Sequence, residues 1–222
     1  MGSNKEYFKI SPSVNPKVIG KCDIYQIDEM IRNYNFKSKE SVDELWGVRG
    51  NQVTFQPDLN GFKLHKNAKL TDIMGANPLN GRGVFVNEKT KQILEKFNLA
   101  DHYFFETKIY DHKEMPISQK YYWFHLLFLD NHLIDYNKST FQYGGKPVTI
   151  NGYDDYIYIL DMYPIIYTEK TVLKKEAIHF DVLLPGYFDQ KLYFSENLIK
   201  EFELLDVIGF EKEDGSKLDF SL

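Results

Sequence analysis

Few residues in this chain have the type and spacing to do chemistry. His125, His132 and Asp135 fall within eleven residues. Across a hairpin they would converge as a metal site or an acid–base pair, because imidazole and carboxylate supply both ligands and proton carriers. The competing reading of His125 is a hydrogen-bonded core histidine, since it lies inside the apolar run 121–129. His65, His102, His112 and His179 are isolated and read as structural or exposed. Cys22 is the only cysteine. It forms no intramolecular disulfide, rules out a cysteine-rich zinc site, and has no neighbour in sequence to activate its thiolate.

The familiar chemical signatures are absent. Gly144-Gly145-Lys146 lacks the glycine spacing and following hydroxyl of a phosphate loop, and Gly81-Arg82-Gly83 lacks the third glycine of a dinucleotide fingerprint. No His-Glu-x-x-His and no Gly-x-Ser-x-Gly occurs. Asp135-Tyr136-Asn137-Lys138-Ser139 reads as local side-chain capping of a turn. The expectation is a binding protein, not an enzyme, with no cofactor and no metal.

Charge says more about partners. Of the formal net −5, residues 150–222 hold 7 basic and 15 acidic side chains, while the rest of the chain is slightly basic. Acidic surface repels phosphate, which argues against nucleic acid and suits a basic protein partner. Within that third, Tyr153, Asp154, Asp155 and Tyr156 are the candidate partner-binding residues. The same Tyr/Asp cluster also reads as a strand edge whose charges block aggregation. Sixteen Tyr and 17 Phe predict an aromatic core, with surface Tyr left for an interface. No stretch approaches the roughly 20 apolar residues of a membrane span, and Met1-Gly2-Ser3-Asn4-Lys5 has no apolar signal core. The cytoplasm is the expected location.

The elements that must position these residues are those of an α+β protein: antiparallel sheets with capped helices, in one domain over 1–222. The candidate subdomain boundary falls at Gly144-Gly145-Lys146-Pro147. Helical spacing of Ile24, Ile27, Met30, Ile31 and Tyr34 predicts a helix over 24–34. Gln52–Phe55 reads as a short strand and Leu70–Met74 as a helical turn. Tyr121–Leu129 reads as a central strand buried on both faces, with Leu133–Tyr136 continuing a meander across a tight turn at 130–132. His102–Tyr110 and Ile178–Leu184 also read as strands. Two units share one punctuation about 108 residues apart: Val84-Phe85-Val86-Asn87-Glu88 and Leu192-Tyr193-Phe194-Ser195-Glu196. In each, a strand meets a capping residue and an amphipathic helix follows. A structural duplication and a common pattern arising twice both fit.

This order of segments resembles a bacterial immunity-protein family of polymorphic toxin systems, long catalogued as a domain of unknown function. The resemblance spans roughly residues 70–211. It is carried by Gly83–Leu99 leading into His102-Tyr103-Phe104-Phe105, by Tyr121–Leu126, by Ile134-Asp135-Tyr136-Asn137-Lys138-Ser139 and by Leu192–Leu198. Asn87 stands where the family has Ser; both cap helices. The resemblance implies a cytoplasmic protein that binds and neutralises a cognate toxin, and it brings no catalytic residue. The alternatives are an enzyme using His125, His132 and Asp135, or a structural or phage-related binding module.

Overall fold

The computed structural model describes residues 5–47, 52–79, 83–162, 166–186, 188–213 and 218–221. It is an α+β fold built on three sheets. The largest has the order β2 (Ile27–Met30), β3 (Asn60–Leu64), β6 (His102–Tyr110), β7 (Tyr121–Leu126), β5 (Gly83–Asn87), β4 (Ile73–Met74). A second runs β11 (Val182–Leu183), β12 (Leu192–Ser195), β1 (Tyr7–Pro12), β13 (Phe210–Glu213). A third runs β14 (Leu218–Ser221), β10 (Tyr167–Lys174), β8 (Thr140–Tyr143), β9 (Lys146–Val148). Only the β3–β6 and β10–β14 pairings are parallel among these strands. The helices are α1 (Pro16–Ile19), α2 (Val42–Gly47), α3 (Glu88–Leu94), α4 (Tyr153–Met162) and α5 (Glu196–Leu204).

The repeated punctuation builds two matching units. In each, a two-residue strand pairs antiparallel with the strand that leads to the cap: Ile73 opposite Val86, Val182 opposite Phe194. Asn87 then accepts the Thr90 N–H at 2.9 Å and Ser195 accepts the Leu198 N–H at 3.4 Å, each satisfying a donor that the helix itself leaves unpaired. β7 lies between β5 and β6 in the first unit, and β1 lies between β12 and β13 in the second. The two sheets therefore share the order short strand, cap strand, inserted strand, post-helix strand. The inserted strand of the second unit comes from the opposite end of the chain.

Side-chain alternation explains why the units pack together. Val84 and Val86 of β5, with Ile93 and Leu94 of α3, share one buried cluster with Phe194, Leu198, Ile199 and Phe202 of the second unit. Phe85 points the other way, into a second cluster with Phe62, Tyr121 and Trp123. In β7, Tyr121 and Trp123 face that second cluster, whereas Phe124 and Leu126 face the first. A strand covered on both faces has no position for a charged side chain, hence the nearly continuous apolar run. A third cluster, including Tyr136, Phe141, Tyr156 and Phe188, lies under β8, β10 and α4.

Several local expectations are corrected. Residues 24–34 hold the strand β2, not a helix: its pairing with β3 shifts register between Ile27 and Glu29, so the buried residues Ile27 and Met30 stand three apart as they would on a helix. Ile73–Met74 is a strand, not a helical turn, and Gln52–Phe55 joins no strand. The central strand ends at Leu126. Beyond it a 3₁₀ turn at Asn131–Leu133 carries the chain away to the third sheet, where Ile134 bridges to Leu173. In 178–184 only Val182–Leu183 is strand, after a 3₁₀ turn at Lys175–His179. Gly144-Gly145 forms the two-residue turn between β8 and β9, with φ of 55° and 75°, a conformation glycine adopts without steric cost.

Candidate functional site

The Tyr/Asp cluster lies on α4, so the strand-edge reading is replaced by a helix. Gly152 O accepts the Tyr156 N–H at 3.0 Å, and Asp154 and Asp155 sit in the first turn, where the helix dipole favours negative charge. Asp155 reaches back to accept the Asn151 backbone N–H at 3.1 Å and its side-chain amide at 2.8 Å. That carboxylate therefore has a local structural task.

Helical spacing divides the rest. Tyr156 is buried, with its ring 5.5 Å from Phe188 and 6.5 Å from Tyr136, and Ile159 and Leu160 pack beside it. Tyr156 thus anchors α4 to the body and is removed from the candidate contact residues. The opposite side carries Tyr153, Ile157, Tyr158 and Met162, with Tyr158 67% exposed. Four of the fourteen large apolar side chains left exposed among the described residues lie on this one ten-residue helix, a concentration rather than scatter. Asp154 and Asp161 stand among them, and no ion pair among the described residues reaches either. The helix contains no Lys or Arg. Of the four residues singled out in sequence, Tyr153 and Asp154 belong to this face. Ile157, Tyr158, Asp161 and Met162 complete it, and their i, i+4 spacing from Tyr153 and Asp154 was the available signal.

At the start of α4 a cleft of about 310 Å³ is lined by Tyr153, His132, Asp135, Asn131 and Lys174 among others. It gathers two members of the sequence triad and not the third. His125 lies buried in β7, where the Trp123 indole N–H donates to its Nδ1 at 3.3 Å. His132 is exposed and lies 2.7 Å from Asp130, whose carboxyl is held below its usual range by the His132 backbone N–H and ring. Asp135 caps its own turn: its carboxylate accepts the Lys138 N–H at 3.3 Å and its carbonyl accepts the Ser139 hydroxyl at 2.9 Å. The three residues are therefore not assembled. Among the described residues no group of three or more His, Cys, Asp or Glu side chains could hold a metal ion. Cys22 is buried, and burial, aided by Asp28 and Asp23, pushes its thiol up, the opposite of activation.

No described helix is long and apolar enough to cross a membrane. No family model matches this chain, and no curated protein matches it.

Proposed function

We propose that this chain is an immunity protein that neutralises a bacterial toxin in the cytoplasm by stoichiometric binding, and that the outward face of α4 is its contact surface. The observation that carries the reading is the composition of that face: Tyr153, Ile157, Tyr158 and Met162 exposed together, with Asp154 and Asp161 between them and without an ion pair among the described residues. Exposed aromatic and methionine side chains anchor interfaces, and unpaired carboxylates steer a basic partner onto them. The family resemblance and the acidic last third of the chain point the same way.

One helix face is smaller than the roughly 800 Å² per partner of a stable complex, so the polar cleft beside Tyr153 is expected to share the contact. The test is co-expression with the product of the neighbouring gene, assayed for toxicity. Growth rescue together with a one-to-one complex supports the reading. Rescue without a complex sinks it, and a complex untouched by Tyr158→Lys moves the contact surface off α4.

A further inference from the structure

The two repeats differ at one place in a way that packing does not require. α5 has nine residues and α3 seven. The longer end carries Leu204, Leu205 and Asp206, the last at a φ of 49° that turns the chain out of the helix. The repeats return to step at Phe97 and Val207, which both pack on the shared core. The next N–H in each is taken by an aspartate of the other repeat: Asn98 by Asp181, Ile208 by Asp72. Nine residues beyond the caps the first repeat has Lys96 and the second has Leu204; at the tied positions they have Asn98 and Ile208. The fold accepts polar side chains at these places. In the second repeat they are apolar and exposed, Leu204 at 75% and Ile208 at 50%, with Leu205 beside them.

The rim of this patch is acidic. Glu203 and Asp206 are exposed, and no ion pair among the described residues engages either carboxylate. Lys200 pairs with Glu196 at 2.8 Å, and Lys89 donates to the Asp206 backbone carbonyl at 3.2 Å and lies 3.6 Å from Asp72, so neither meets the Glu203 or Asp206 carboxylate. We infer that the end of α5 is a second interaction surface, distinct from the α4 face, that takes a protein face with an apolar centre and a cationic rim. A second copy of this chain suits it less well, because a two-fold contact would set one acidic patch against another and supply no cationic rim.

The probe is a helical Leu/Lys peptide with a leucine stripe, compared with a matched Leu/Glu peptide by fluorescence anisotropy. The parent protein is expected to bind the first and not the second. Leu204→Lys with Ile208→Lys should weaken binding by about tenfold or more, the loss expected for an interface anchor. Glu203→Lys should weaken it most at low salt. Tyr158→Lys on α4 should leave it unchanged. All of these positions are exposed, and unchanged thermal melting verifies that each variant is folded. The inference is overturned if the Leu/Lys peptide does not bind, if both peptides bind equally, or if Tyr158→Lys is the substitution that abolishes binding. A parent dimer that Leu204→Lys with Ile208→Lys dissociates also overturns it, since the occupant is then a second copy.

Discussion

Asp72 and Asp181 hold matching places in the two repeats, and each ties the helix cap of its own repeat to the chain leaving the other. Asp72 accepts the Asn87 amide at 2.7 Å on one oxygen and the Ile208 N–H at 2.8 Å on the other. Asp181 accepts the Ser195 hydroxyl at 2.7 Å and the Asn98 N–H at 3.0 Å. The backbone repeats the link, with Asn87 donating to the Asp72 carbonyl and Ser195 to that of Asp181. The repeats are therefore clamped to each other twice, around the hydrophobic cluster they share.

The Asp181 clamp makes stability depend on pH. Burial pushes its carboxyl up, but hydrogen bonds from Lys5, Ser195 and the Asn98 N–H outweigh burial and hold it below its ordinary value. A carboxyl lowered in the folded state contributes stability above its unfolded value near 3.9, and that contribution is lost as pH falls through the folded value. Asp181→Asn should cost about 1.5–3 kcal/mol at neutral pH, the range for hydrogen bonds to a charged group. The variant should also lose less than the parent on acidification below about pH 4. Urea melts at neutral and acid pH measure both. Equal acid sensitivity in parent and variant would refute the role.

Trp123 tests the doubly covered strand. It is buried, its ring lies 5.1 Å from Phe85, and its N–H donates to His125. Trp123→Ala should cost about 3–5 kcal/mol. Trp123→Phe, which keeps much of the packing, should cost clearly less. An Ala variant that melts like the parent in urea would contradict the placement.

The parts legible in sequence are those whose signals are local. Asn87 and Ser195 announce their helices because a cap acts within three residues, and Tyr121–Leu126 announces burial on both faces by composition alone. β2 was not legible, because a register shift placed Ile27 and Met30 at helical spacing. α4 was ambiguous because Tyr and Ile favour strands intrinsically, while the third cluster beneath selects Tyr156, Ile159 and Leu160 as one helical side. The pairing of β1 with β12 and β13 joins opposite ends of the chain and leaves no local trace. The same holds for the Asp72 and Asp181 clamps.

That long-range strand gives a third prediction. β1 fills the slot between β12 and β13, with Phe8 opposite Phe194 and Lys9 opposite Glu213, and Tyr7 buried beneath. A chain beginning at Ser13 should fail to fold cooperatively. A synthetic peptide of residues 5–12 added to it should restore a cooperative thermal transition, because the slot and its hydrogen-bond partners remain on the longer piece. If the shortened chain melts like the parent without the peptide, β1 is dispensable and the second unit does not need its inserted strand.

The α4 face gives the final prediction, which separates steering from anchoring. Asp155 is unsuitable for charge reversal, because it holds Asn151 ahead of the helix. Asp154 and Asp161 are the informative pair. Asp154 lies in the first turn, where its charge suits the dipole, and Asp161 lies in the last, where it does not. Reversing both therefore exchanges a loss of about 0.3–1 kcal/mol at one end for a similar gain at the other. The melting temperature should barely move. Association with a basic toxin should slow and become less sensitive to salt, because the steering field is what has been removed. Tyr158→Ala should act differently: it removes contact area but no charge, so dissociation should quicken while the association rate holds. Stopped-flow measurements on both variants at two salt concentrations distinguish the effects. If charge reversal leaves the association rate and its salt dependence as they were, the toxin is not steered by α4. If Tyr158→Ala also leaves dissociation unchanged, the toxin docks elsewhere on the molecule.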